Sequence, residues 1–414
     1  MPMQPWFPQA KLGIFVHWGI YAVDGVAESW SLYQGTVSRE QYYAQLDRFT
    51  AERYDPAAWA ALFAGAGARY AVLTARHHDG VALWPSGRSV GRDLIGPYAN
   101  ALRERGLRVG LYYSHSDWAH PDYPSVRSRG ADAWVNDSPL VAPPPDRPEN
   151  PDAWQRYLAY RDGQVDELVT RYRPDLLWFD GEWERAEEQW GLDRLAAQIL
   201  AKAPDTVLNG RMLSHGDYAT PEQGIPIEPP DGPWELCLTI NDSWGFQPHD
   251  RHYKSAHQLI EYFTETIAAG GNLLLDVGPE EDGTIPPPQV QRLHALGGWI
   301  ARHADAVYPT IAGLPPGHFN GPTTLSADRR TLFLFISGVR PESVAIRGLR
   351  SGVRRATVLS TGTELSTDAT GGHGEVPGVT WVSAPAGNDV DPQMTVVALE
   401  LEGELDLYRG KGRR

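Results

Sequence analysis

Seven short apolar runs, each followed by a polar loop and most by a stretch of helical period, succeed one another between about residues 11 and 305. They are LGIFVHWG (12–19), RYAVLTARHHDG (69–80), LRVGLYYSHSDW (107–118), DLLWFDG (175–181), TVLNGR (206–211), ELCLTINDSWG (235–245) and NLLLDVGP (272–279). The helix-period stretches fall at 151–172, 188–202, 255–269 and 287–303. Strand–helix alternation sustained over this length requires a parallel sheet with helices packed outside it. No glycine-rich phosphate loop follows the first run, so an open dinucleotide-binding sheet is disfavoured against a (β/α)8-like barrel. Only seven strands are legible. The expected α/β fold is therefore an imperfect TIM barrel whose eighth strand is hidden or irregular.

The texture changes near residue 310. A connector rich in proline and glycine, YPTIAGLPPGHFNGP (308–322), leads into short alternating runs at 331–337, 343–349, 355–360, 379–384 and 394–403. That pattern predicts a small antiparallel β-sandwich. Two domains are expected, a barrel over 1–310 and a sandwich over 311–414. At 414 residues the chain exceeds the ~250–300 at which single cores stop growing. The sandwich carries no cluster of His, Asp or Glu, so a structural or sugar-binding role is expected for it. A net charge of −15 disfavours nucleic acid and anionic membrane as partners, and no apolar run approaches a membrane span. With one cysteine, Cys237, no intrachain disulfide and no cysteine-rich metal site is possible. No basic-then-apolar leader opens the chain, so a cytoplasmic location is expected, or a secreted or periplasmic one if a leader was removed.

In barrels of this kind, chemistry sits where the strands end. Strand four ends in Trp178-Phe179-Asp180-Gly181, followed by Glu182 and Trp183. An Asp-Gly pair by itself is more often a helix N-cap in a βα loop. The other strand ends supply His17-Trp18, His77-His78-Asp79 with Trp84 beyond, Tyr112-Tyr113, Asn209 and Arg211, and Asn241 to Trp244. Charged groups gathered on one rim cost desolvation unless they are used together, whereas fifteen tryptophans supply flat faces for sugar rings. Asp276, before Val-Gly-Pro, is taken as a turn former.

A catalytic metal is not expected. Two histidine ligands on one strand would be spaced His-x-His to share a face, whereas His77 and His78 are adjacent and point to opposite faces of a regular strand. No cofactor is expected either. Two neutral imidazoles and an arginine are better suited to gripping hydroxyls.

The blocks KLGIFVHWGIYAV, TARHHDGVALWPS, GLYYSHSDW, LLWFDG, WELCLTINDSWG and NLLLDVGPEEDGTIPP together resemble the α-L-fucosidases of glycoside hydrolase family 29, in order and over most of residues 11–310. The resemblance implies a retaining exo-glycosidase that releases terminal α-L-fucose from glycans, with Asp180 as nucleophile. It implies sugar contacts from His17, His77, His78, Tyr113, Trp178 and Arg211; Glu28, Trp30, Trp84 and Trp244 join them as candidate binders. GDYATPE resembles the block that carries the acid/base and nominates Glu222, with Glu235 and Glu28 as rivals. Ser29 separates Glu28 from Trp30, a departure from the family spacing. Two alternatives stand beside this: a glycosidase for a related, α-galactoside-like sugar, and a non-catalytic fucose-binding protein. Oligomeric state is not legible.

Overall fold

The structure, a computed structural model, describes residues 3–131, 136–338 and 342–410; the expected outer domain limits, residues 1 and 414, lie outside these. All seven barrel strands are present: β1 (Leu12–Val16), β2 (Tyr70–Arg76), β3 (Arg108–Ser114), β4 (Leu176–Asp180), β5 (Val207–Leu208), β6 (Glu235–Thr239) and β7 (Asn272–Val277). They form one parallel sheet in the order β5-β4-β3-β2-β1-β7-β6. Helices Pro56–Gly65, Ile95–Glu104, Pro151–Tyr172, Leu192–Lys202, Ala256–Ala268 and Pro287–Arg302 cover its outer face. No described helix is long and apolar enough to cross a membrane.

The two-residue alternation of side chains divides each strand between two cores. Leu177, Phe179, Leu111, Tyr113, Leu273 and Leu275 face the helices, where they join the main hydrophobic cluster. Phe15, Tyr70, Val72, Tyr112, Leu176, Trp178 and Leu274 fill the barrel interior. Residues in step with the interior set and nearest the strand ends (His17, Tyr112, Trp178, Asp180, Asp276) therefore arrive at one rim.

Residues 217–223 fill the place of an eighth strand. The Asp217 N–H donates to the Leu208 carbonyl at 2.7 Å on the β5 side. On the β6 side, Glu235 and Cys237 donate to the carbonyls of Ala219 and Pro221 at 2.9 and 3.1 Å, and Gln223 donates back to Cys237 at 2.9 Å. The pairings are single parallel bridges, Asn209 with Tyr218, Ala219 with Trp234 and Glu222 with Cys237. Pro221 has no N–H to give, and Gln223 adopts a φ of +60°, so no regular ladder forms. The expected irregular eighth strand is this segment.

Beyond the barrel, six antiparallel strands (Thr310–Ala312, Thr323–Ser326, Thr331–Ile336, Val353–Val358, Glu364–Leu365 and Thr395–Leu401) form one sheet. Three more (Ser343–Arg347, Thr367–Thr370 and Val379–Ser383) form a second. The first strand lies inside the expected connector: Thr310 to Ala312 are too short a run to read as a strand without their partner. Leu332, Leu334, Ile346, Val382, Val397 and Leu399 form the core between the sheets. Phe335, Met394 and Val396 face the barrel instead, where the Trp299 indole donates to the Met394 carbonyl at 2.8 Å.

Candidate active site

Asp180 closes β4 and is nearly buried, and both of its carboxylate oxygens are engaged. Oδ1 accepts from Arg211 Nη1 at 2.7 Å and from the Gly181 N–H at 3.0 Å. Oδ2 accepts from the Tyr112 hydroxyl at 2.7 Å, with His78 Nε2 3.6 Å away. Gly181 turns the chain off the sheet with a φ of +82°, and a Cβ there would stand 2.5 Å from Ser116 Oγ. Asp180 is thus fixed by the turn behind it and by donors from β3 and from the segment after β5.

Arg211 joins two carboxylates. Its Nη2 donates to Glu222 Oε2 at 2.7 Å, so one guanidinium spans Asp180 and Glu222. Beneath it lies the Trp178 ring at 4.9 Å and beside it Trp183 at 5.7 Å. Glu222 is the more open partner, 41% exposed against 12% for Asp180. Its place on the irregular eighth stave brings it to the same rim.

The histidines complete the floor and one wall. His17 Nδ1 is 2.7 Å from Asp276 Oδ1, and its ring lies 5.0 Å from Trp244 and 5.9 Å from both His77 and Tyr112. Asp276 is buried on β7 and in step with Leu274, so it orients His17; the turn-former reading of Asp276 is corrected. His77 Nδ1 is 2.6 Å from Ser29 Oγ and its ring stacks on Tyr112. His78 Nδ1 is 2.6 Å from Ser114 Oγ. Burial holds all three imidazoles well below their ordinary range, His78 at about 3, so they are neutral at pH 7.

The expectation that His77 and His78 face opposite ways fails because β2 ends at Arg76. Both histidines lie on the turn beyond it, with rings 4.4 Å apart on the same rim. Two further positions are corrected by strand parity. Tyr113 faces the helices, where its hydroxyl donates to Gln164 Oε1 at 3.0 Å and its ring lies under Arg76. Tyr112 takes the place expected for it. Trp84 is fully buried in the outer layer and donates to Glu167 Oε2 at 2.8 Å, away from the rim.

Of the rival acids, Glu28 is buried, accepts from the Gly245 N–H at 2.5 Å and is pushed by burial up to about 7. Ser29, the residue that breaks the family spacing, holds His77, and the half-buried Trp30 ring stands 5.9 Å from His78. Glu235 is inside the barrel at the start of β6, four residues below the strand end, and burial raises it to about 7. Its carboxylate oxygens are taken by Trp178, Tyr218 and Tyr70 inside the barrel and none of its surface is exposed, so it has no open side toward a leaving group. Glu182, on the turn after Asp180, belongs to the carboxyl group around Arg211. Burial raises it to about 7, and its Oε2 is buried without a hydrogen-bond partner. Its sequence neighbour Asp180 was the only signal for it.

Two measurements follow from this geometry. Tyr112→Phe removes a hydrogen bond to a charged group, worth ~1.5–3 kcal/mol, and on an aryl α-L-fucoside, the substrate the resemblance implies, it is expected to lower kcat/KM by ~10–100-fold, whereas Tyr113→Phe stays within a few-fold. Equal effects would overturn the parity assignment. Glu28, Glu182 and Glu235 each sit near 7 when folded against an ordinary 4.5. The folded chain therefore keeps protons that the unfolded chain releases. That stabilisation is complete below about pH 4.5 and is lost as pH rises through 7. Glu235→Gln removes one such group, so its thermal midpoint should fall less than wild type between pH 5 and 8, by on the order of 2 kcal/mol in stability. Parallel curves would show that Glu235 does not titrate in this range.

The rim can hold a small polyhydroxylated ring over indole and imidazole faces, with a fixed carboxylate below and a second carboxyl on the open side. Comparisons with known proteins agree with that chemistry. A family model described as alpha-L-fucosidase matches residues 1–305. Tissue alpha-L-fucosidase of Rattus norvegicus is 35% identical over 344 residues, spanning 74% of this chain and 70% of that protein. Among solved structures, alpha-L-fucosidase isoenzyme 1 from Paenibacillus thiaminolyticus matches with a TM-score of 0.84 at 34% identity, covering 96% of this chain and 98% of its own. Alpha-fucosidase of Thermotoga maritima in complex with fucose matches with a TM-score of 0.76 at 29% identity, covering 96% and 97%.

Proposed function

Because this chain belongs to the alpha-L-fucosidase family, we propose that it releases terminal α-L-fucose from glycans or glycoconjugates with retention of anomeric configuration, through a fucosyl-enzyme on Asp180. The observation that carries this reading is the single guanidinium of Arg211 at 2.7 Å from both Asp180 and Glu222. Retaining glycosidases need two carboxyls ~5–5.5 Å apart, a separation that two carboxylates bridged by one guanidinium can adopt.

In the first step a carboxylate oxygen of Asp180 bonds to the anomeric carbon. The bond to the leaving oxygen breaks, and the proton of Glu222 passes to that oxygen. In the second step water attacks the same carbon, Glu222 takes its proton, and the ester to Asp180 breaks. Arg211 and Tyr112 hold Asp180 at one angle, which supplies orientation before reaction. Neutral His17, His77 and His78 take sugar hydroxyls, and Trp178, Trp244, Trp30 and Glu28 complete the wall. The chain is a glycoside hydrolase that acts through its own side chains, with a fucosylated oligosaccharide as substrate. Residues 311–414 act as a separate β-sandwich domain in this scheme, buttressing the barrel through the Trp299–Met394 contact.

The test is turnover of an aryl α-L-fucoside followed by NMR of the first product. Release of α-L-fucose as the initial anomer is expected; the β anomer first would overturn retention.

A further inference from the structure

Glu235 is a fully buried carboxyl with no place in the chemistry above. Its Oε1 accepts from the Trp178 indole at 2.9 Å and from the Tyr218 hydroxyl at 3.3 Å, and its Oε2 accepts from the Tyr70 hydroxyl. Its hydrogen-bond donors are thus aromatic side chains from β4, the irregular stave and β2. A buried carboxyl is expensive to keep in an apolar interior. Its connection to the rim runs through Trp178. That indole stacks on Tyr112 at 5.7 Å and 18°, and lies under Arg211 at 4.9 Å. Tyr112 and Arg211 both donate to the Asp180 carboxylate. Both groups that hold the nucleophile therefore lean on one ring, and the far edge of that ring is tied to Glu235.

We propose that Glu235 is a positioning residue: by accepting the Trp178 N–H it fixes the indole plane against which Arg211 and Tyr112 are aligned on Asp180. This rests on the reading of Asp180 as nucleophile. An indole without that acceptor turns about its two side-chain torsions, and the guanidinium it supports shifts with it. Misplacements on the scale of 1 Å at a reacting centre cost up to ~10²-fold in rate. A positioning role differs from a proton-donor role in what it does across substrates. Misalignment of Asp180 slows every substrate alike, whereas loss of a proton donor spares good leaving groups.

The experiment compares wild type, Glu235→Leu, Glu235→Gln, Trp178→Phe and the double variant Trp178→Phe/Glu235→Leu in the full chain. kcat and KM are measured on an aryl α-L-fucoside and on a fucosyl disaccharide. Glu235→Leu is expected to lower kcat ~10–100-fold, equally on both substrates. Glu235→Gln keeps a carbonyl oxygen for the indole and is expected to recover kcat to within a few-fold of wild type. The double variant is expected to be no slower than Trp178→Phe, since both changes break the same bond. Three results overturn the proposal: Glu235→Gln as slow as Glu235→Leu, a loss confined to the disaccharide, or additive losses in the double variant. If Glu235→Leu does not fold, Glu235→Gln and Trp178→Phe decide the matter. A slow Trp178→Phe on both substrates with an active Glu235→Gln supports the proposal, and any other pairing overturns it. Failure of wild type to hydrolyse either substrate would instead sink the parent reading before any variant is compared.

Discussion

Asp180→Ala is expected to abolish turnover of an aryl α-L-fucoside, with kcat/KM down by at least ~10⁴-fold, while the protein still melts cooperatively. The two halves of that result have separate causes. Turnover fails because the variant removes the carboxylate that Arg211, Tyr112 and the Gly181 N–H hold in place. The fold survives because β4 is held by its backbone ladder to β3 and by the buried Leu177 and Phe179, none of which uses the carboxylate. Arg211 also keeps Glu222 as a partner, so no guanidinium is left unpaired in a buried place. Near wild-type activity in this variant would mean that the nucleophile lies elsewhere. Loss of the melting transition would mean that Asp180 is needed for folding rather than for chemistry.

Glu222→Ala is the second large effect, and its signature is unevenness. A fucosyl glycan has a poor leaving group that needs a proton as its bond breaks, so a loss of ~10²–10⁴-fold is expected. An aryl group leaves unaided, and its loss should be much smaller. The contrast separates Glu222 from the other carboxyls near the rim. Glu28 is buried and held by the Gly245 N–H, and Glu182 has its Oε2 buried, whereas the Glu222 side chain is 41% exposed. Equal losses on both substrates would assign Glu222 a structural role through Arg211.

Much of this site was legible because strands announce their ends. A run of apolar residues interrupted by Asp180, His17 or His77 names a rim residue whatever its neighbours do. What the sequence withheld was parity between strands. Tyr112 and Tyr113 are equal candidates until β3 is set in register with β4, which places Tyr112 across from Trp178. The same applies to Asp276, whose meaning depends on lying beside Phe15 and below His17. His77 and His78 share the rim because β2 ends at Arg76 and the turn begins before either histidine. Ser29 and Glu182 carried no pattern of their own. They matter only because a helix and a turn deliver them beside His77 and Arg211.

The eighth stave gives the barrel a seam. Asp180 takes its stiffness from the hydrogen-bonded ladder that joins β4 to β3. Glu222 is stitched in by isolated bridges around a proline, next to a residue in a left-handed conformation. Opening such a segment locally costs far less than unravelling a ladder. The two carboxyls of the proposed reaction thus stand on ground of unequal firmness. In the proposed reaction, the one assigned to meet a single sugar carbon is rigid, while the one assigned to leaving groups of many shapes has room to give.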